Sequence, residues 1–438
     1  MSFIKSYKRY IFLFLILYTI IHFIHGGIYQ PLIINKTKFT QINEESLPLY
    51  EFLYNNKTIE LTNPRQYGPV FFFIMLPFMS IFNEKSYMSI ILFIVAQITM
   101  LFSFYIIYNL LFRNIKGGLF YLFLIWFNFN PLYYNMGTKA PEFWEILFIS
   151  IALYFIIDKR EYISGTTITL ATLIKILPVV YFYYFLLRKW NAFFWGTLSM
   201  IIMLSISWFV FGYNMGLYYL YFIITRPLGQ VTFVQAFYEN ITIKATITKI
   251  FAGFKMKYTL EEVMSRELGL FEGYSFVFNE HNAFLINTIY TLILICGLLF
   301  FAWVCFKLNQ NKKSELILFG LISITMILFS PHSSWEYTVL LLPAFAIALY
   351  FLITDKLNTI LKSLFCLSYI FLGVPIPMKI FVHLLPLNYL NNIFCDNIFD
   401  LSESYKAYGF PTIGLIAIYL FFIILALKNI KSQKISKK

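Results

Sequence analysis

Runs of about 17–25 mostly apolar residues recur along the whole chain, and each is long enough to cross a bilayer as a helix. In hydrocarbon a backbone has to satisfy its own hydrogen bonds, and a helix does so within one segment. Of 438 residues, 60% are hydrophobic and 13% are charged, which is too little charge to cover a soluble surface. The sequence therefore predicts an all-α polytopic membrane protein, one domain over residues 1–438 with about twelve transmembrane segments. The first run, "YIFLFLILYTIIHFIHGG", follows a basic "MSFIKSYKR". No small-residue cleavage site comes after it and many more runs do, so it reads as a retained helix and not as a signal peptide.

The net charge of +13 does not point to nucleic acid. Lys and Arg gather at segment ends and in the tail 429–438, as the cytoplasmic anchors of spans do. Spans are expected near 10–27, 119–135, 143–157, 191–211, 283–306, 315–330, 337–354, 359–374 and 411–428, with both termini inside. Two regions fit a plain crossing poorly. Residues 67–112 hold two apolar runs where parity allows a net single crossing. Residues 162–187 carry "TLIKILPVV" between basic ends, the pattern of two short helices meeting part-way through the membrane. The long loops 28–66, 128–142, 212–282, 330–336 and 375–410 then share the exoplasmic face. Four cysteines make neither a disulfide framework nor a metal set, and nothing in the sequence calls for a metal or a cofactor.

Polar and charged residues placed at membrane depth carry the chemistry of such a chain. Loop 28–66 offers Glu44, Glu45, Glu51 and Glu60. Each is either a general base at the membrane surface or a solvated loop residue. The junction "NFNPLYYNMGTKAPEFWEI" gathers Asn128, Asn130, Asn135, Lys139, Glu142 and Glu145, lining a polar cavity or capping helices. Lys175 is the most informative single residue, because a lysine at depth costs about 2.5–3.5 kcal/mol on insertion scales. Three residues later Pro178 makes a re-entrant position the expectation. An ammonium there can hold a phosphate, as can Arg65, Lys139, Arg226 and Lys244 from the outer face, or those four are interfacial anchors. The stretch "SPHSSWEYTVLLLP" sets His332 and Glu336 at the head of an apolar run. An acid in that position needs a partner.

Four stretches, in this order, resemble segments of the polyprenyl-phosphate-mannose-dependent mannosyltransferases, glycosyltransferase family 87 of the integral-membrane C-type superfamily. "QYGPVFFFIMLPF" resembles the segment after their first external loop. "TLATLIKILPVVYFYYFLLRKW" resembles their Ala-Thr-x-x-Lys-x-x-Pro segment. "YENITIKATITKIF" is similar to their Asn-Gln-Ser segment, placing Asn240 there, and "SPHSSWEYTVLLLP" resembles their Ser-Pro-x-Ser-Trp-acid segment. The resemblance spans roughly residues 1–345. It implies the C-type fold, with long exoplasmic loops and some broken helices. A polyprenyl-phosphate sugar would be the donor, a glycan or glycolipid the acceptor, and a first-loop carboxylate the base. The family carries an Asp early in that loop. Here Lys38 and Phe39 stand there and the loop holds no Asp, so the resemblance passes the role to Glu44 or Glu45. The family's Gly-Gln-x-Asn turn is likewise replaced by "MGTKAPE".

The expected function is an inverting membrane hexosyltransferase, mannosyltransferase-like, acting at the outer face of a plasma membrane or, in a eukaryote, at the lumenal face of the endoplasmic reticulum. Glu44 and Glu45 are its candidate catalytic residues. Arg65, Lys139, Lys175, Asn240, Lys244, His332 and Glu336 are its candidates for substrate and donor-phosphate binding. A transporter or flippase of a lipid-linked substrate, and a non-catalytic relative, are the competing expectations. Transporters commonly show internal repeats, and none is evident.

Overall fold

The computed structural model describes residues 13–21, 23–24, 68–81, 85–138, 140–211, 240–252, 283–373 and 409–435. Among them every regular element is helical, and Asn240 and Ser334 form an isolated antiparallel bridge. After a first helix, α1 (13–21), the helices are α2 (Pro69–Ile81), α3 (Lys85–Ile107), α4 (Gly118–Phe127), α5 (Asn130–Thr138), α6 (Glu142–Ile157) and α7 (Glu161–Ile174). Then come α8 (Tyr181–Arg188), α9 (Trp190–Phe211), α10 (Ile243–Ala252), α11 (Ala283–Lys307), α12 (Lys312–Leu328), α13 (Leu342–Thr354), α14 (Thr359–Gly373) and α15 (Phe410–Ile435).

Among the described residues, five helical stretches are long and apolar enough to cross a membrane: Ile90–Phe112, Trp190–Phe211, Ala283–Lys307, Trp335–Thr354 and Phe410–Gln433. Four of them fall on the expected spans 191–211, 283–306, 337–354 and 411–428. The fifth is the second run of 67–112. The first run of that region, α2, has only 13 residues and a Pro at 77. The expected span 119–135 divides into α4 and α5, because Asn128 ends α4 and Pro131 opens α5 as a residue without an N–H to donate.

Helix α12 is the axis of the molecule. Every residue from Ser314 to Leu328 is buried, and α6, α8, α11, α13 and α15 all pack on it. By contrast α9 and α11 show apolar faces outward, with Phe209 90% and Phe284 83% exposed, as helices against lipid acyl chains do.

The region 162–187 is broken as its proline requires. Helix α7 stops at Ile174, Lys175 is extended at φ −148° and ψ 142°, and a short 3-10 turn, Leu177–Val180, leads into α8. Pro178 has no N–H for the carbonyl of Ile174, four residues back. That carbonyl accepts instead from Gly68 N at 2.8 Å. The break thus fastens the start of α2.

Close approach fixes α7 against α9. A Cβ on Gly165 would lie 2.0 Å from the Ala192 carbonyl oxygen. Across the same contact Thr169 Oγ1 donates to Gly196 O at 2.7 Å, and the Thr166 and Ser199 hydroxyls meet at 3.0 Å. Small residues and hydroxyls are what let helices touch where lipid supplies no hydrophobic drive. Gly165→Ala is expected to lower stability by at least about 1–3 kcal/mol, read as the unfolding midpoint of the detergent-purified protein.

Candidate active site

One end of the bundle draws together residues that lie far apart in sequence. Its floor is the break in α7. The Lys175 ammonium meets Glu142 Oε1 at 2.7 Å and lies 3.7 Å from the centre of the Tyr337 ring. Lys175 is 5% exposed and Glu142 1%, so the pair is screened from water. Glu142 and Glu145 open α6, where the helix dipole favours acids. Three residues apart, they share one face of the helix. Glu145 is fully buried, and neither of its carboxylate oxygens has a hydrogen-bond partner among the described residues.

The wall is the polar stretch 330–336. Asn135, from α5, donates from Nδ2 to the Glu336 carbonyl at 2.9 Å and to its own helix at Pro131 O, 2.8 Å. Tyr134 packs edge-on against Trp335. Pro331 interrupts the helical ladder, and the Ser330 hydroxyl takes over part of the backbone's bonding by donating to His332 O at 2.6 Å. His332 and Glu336 are half-buried at this edge.

The roof is the segment that carries Asn240. Its Oδ1 accepts from Ser333 N and from Thr242 N, both at 3.3 Å, and Ile241 N donates to Ser333 O at 2.9 Å. Lys249 Nζ donates to Asn240 O at 2.9 Å. Thr242 Oγ1 accepts from Ala245 N and so caps α10. Thr412, at the start of α15, donates to Ile241 O at 2.9 Å. One asparagine therefore locks the start of α10 onto the polar stretch.

Lys244 differs from its neighbours. It is 1% exposed. Its ammonium faces the Tyr290 ring, 5.3 Å from the centre, and meets no carboxylate among the described residues. Tyr290 is held in place by its hydroxyl, which donates to Phe329 O at 2.7 Å. Burial lowers the pKa of Lys244, since a charge in a low-dielectric site is disfavoured without a counter-ion.

Of the residues singled out from sequence, Lys175, Asn240, His332 and Glu336 fall in this one region, and Lys244 sits on the helix that Asn240 leads into. Glu44, Glu45, Arg65 and Lys139 lie outside the described residues, as does Arg226. The sequence offered Glu142 and Glu145 as cavity-lining or helix-capping residues without naming either as the partner of Lys175. The signal was available, because two acids and a lysine at similar depth need one another. Lys249 and Thr412 carried no signal, since each acts on a backbone carbonyl. Among the described residues no group of three or more His, Cys, Asp or Glu could hold a metal.

The model of glycosyltransferase family 87 matches residues 66–331, well over half the chain. The match begins beside Arg65 and takes in α2 to α12, the broken α7, and Asn240 with α10. No curated protein matches the chain.

Proposed function

The chain belongs to glycosyltransferase family 87, and from that membership we propose that this multi-pass membrane glycosyltransferase moves mannose from a polyprenyl phosphate to a glycan or glycolipid acceptor, with inversion. In this reading about twelve segments cross the membrane, the polar end is exoplasmic, and the membrane is a plasma membrane. The observation that supports it best is the meeting of Asn135, Glu142, Lys175, Asn240 and Ser333 at one end of the bundle, beside the start of α2.

Glu44 or Glu45 takes the proton of the acceptor hydroxyl. The oxygen then attacks the anomeric carbon from the face opposite the phosphate. The carbon–oxygen bond to phosphate breaks, and the polyprenyl phosphate leaves with the electron pair. Phosphate is already a good leaving group, so a lysine that receives its charge is what remains to be supplied. Charge balance divides the two buried lysines. Lys175 is neutralised by Glu142 and serves to hold the floor, whereas Lys244 has a charge still to be met. His332 and Glu336 border the acceptor side.

Purified protein given labelled polyprenyl-phosphate mannose and a membrane glycan extract is expected to form labelled product. The variant Glu44→Gln with Glu45→Gln is expected to form none, at wild-type yield and unfolding midpoint. Full activity of that variant removes the assigned base. Movement of the intact donor across vesicles, without transfer, removes the enzyme reading.

A further inference from the structure

A second site stands at the opposite, basic end of the bundle. There the ends of α8 and α11 and the start of α9 enclose an open cavity of about 500 Å³. Its outer wall is apolar and turned toward lipid: Trp190 is 62%, Phe306 72% and Leu186 44% exposed. Its inner lining is polar and contains Arg188, Asn309 and Gln310, and no acid lines it.

Arg188 has five N–H donors, and four are engaged. Nε donates to Glu315 Oε1 at 3.2 Å, Nη1 to Cys305 O at 2.6 Å and Leu308 O at 2.7 Å, and Nη2 to Asn309 O at 2.5 Å. The guanidinium is fixed in place with one Nη2 hydrogen left over. The side chains of Asn309, Gln310 and the exposed Lys307 have no hydrogen-bond or ion-pair partner among the described residues. The nearest acids are occupied. Glu315 receives Tyr184, Arg188 and Lys189, and Glu161 receives Lys189.

We propose that this cavity binds an anionic glycerophospholipid of the cytoplasmic leaflet. Its phosphate diester is held by Arg188 Nη2, Asn309 and Gln310, and its acyl chains lie along Leu186, Trp190 and Phe306. The basic end is the cytoplasmic one by the positive-inside rule. Basic pockets between membrane helices on that side suit anionic headgroups, and a fixed guanidinium suits phosphate oxygens. The lipid-facing apolar wall selects a lipid over a soluble phosphate ester. The bound lipid would brace the base of the re-entrant pair α7–α8, whose tip carries Lys175.

The test follows the unfolding midpoint of the full chain in neutral detergent during titration with phosphatidylglycerol, phosphatidylcholine of the same chains, or glycerol phosphate. Phosphatidylglycerol alone is expected to raise the midpoint, in a saturable way. Asn309→Glu and Gln310→Glu, both exposed, lining the cavity and away from the transfer site, are each expected to weaken its apparent affinity about tenfold. Lys116→Glu, exposed elsewhere on the chain, is expected to leave it unchanged. Equal stabilisation by phosphatidylcholine or glycerol phosphate, wild-type titration of both cavity variants, or equal weakening by Lys116→Glu overturns the proposal.

Discussion

Lys175→Met is expected to destabilise the protein by about 3–5 kcal/mol and to abolish transfer, while Glu142→Gln is expected to cost less. The asymmetry comes from Glu145. Removing the ammonium leaves two buried carboxylates one helical turn apart with no cation between them. Removing the Glu142 charge leaves Lys175 with a second acid close by, since Glu145 is three residues away on the same face of α6. The ring of Tyr337, 3.7 Å from Nζ, adds about 1–2 kcal/mol of cation–π attraction in so dry a place. The double variant Glu142→Leu with Lys175→Met is expected to be more stable than Lys175→Met alone, because replacing a whole buried ion pair by apolar groups is often neutral. Chemical denaturation in detergent of wild type, Lys175→Met, Glu142→Leu and the double variant gives the coupling energy of the pair. Additive effects would mean that the 2.7 Å contact carries no energy of its own. Transfer activity separates structure from chemistry: a double variant that folds but does not transfer assigns Lys175 a part in the site beyond holding α7 to α6.

The broken helix was legible because its cause is local. Pro178 removes a donor four residues after Ile174, and no tertiary information is needed to see that α7 must stop. The split of 119–135 had a local cause too, in Asn128 and Pro131, but an average over an apolar window does not register one proline. Helix lengths were legible too: the helices over 143–157, 315–330 and 359–374 run 16, 17 and 15 residues, each within one residue of the expected length. The site was legible in its chemistry and not in its pairing. A lysine and several acids at depth predict that partners exist. Which acid meets Lys175 depends on how α6 and α7 pack along their lengths. The lock at Asn240 was invisible for the same reason. Its bond to Ser333 N joins residues 93 apart in the chain, and it reads backbone position instead of side-chain type.

Lys244→Met is expected to move stability and activity in opposite directions. Lys244 is 1% exposed with no carboxylate partner among the described residues, and an unpaired buried charge costs several kcal/mol. The Tyr290 ring at 5.3 Å returns about 0.5–2 kcal/mol of that, well short of balance. An isosteric apolar side chain is therefore expected to raise the unfolding midpoint or leave it unchanged. Transfer is expected to fall about 100-fold in kcat/KM, the scale of one lost charge-stabilising donor. In the proposed reading, the donor phosphate is the anion that relieves this cost. Lys249, on the same helix, gives the contrast. It donates to Asn240 O at 2.9 Å, so Lys249→Met is expected to lose about 1–3 kcal/mol of stability with the donor KM nearly unchanged. The pH dependence has a definite sign. The lowered pKa of Lys244 means that its charge is lost at a lower pH than that of an exposed lysine, so donor KM rises early on the alkaline side. Lys244→Arg, which stays charged, is expected to remove that rise. A Lys244→Met protein that is less stable than wild type, yet binds donor normally, would make this lysine a structural one and leave the phosphate to another cation.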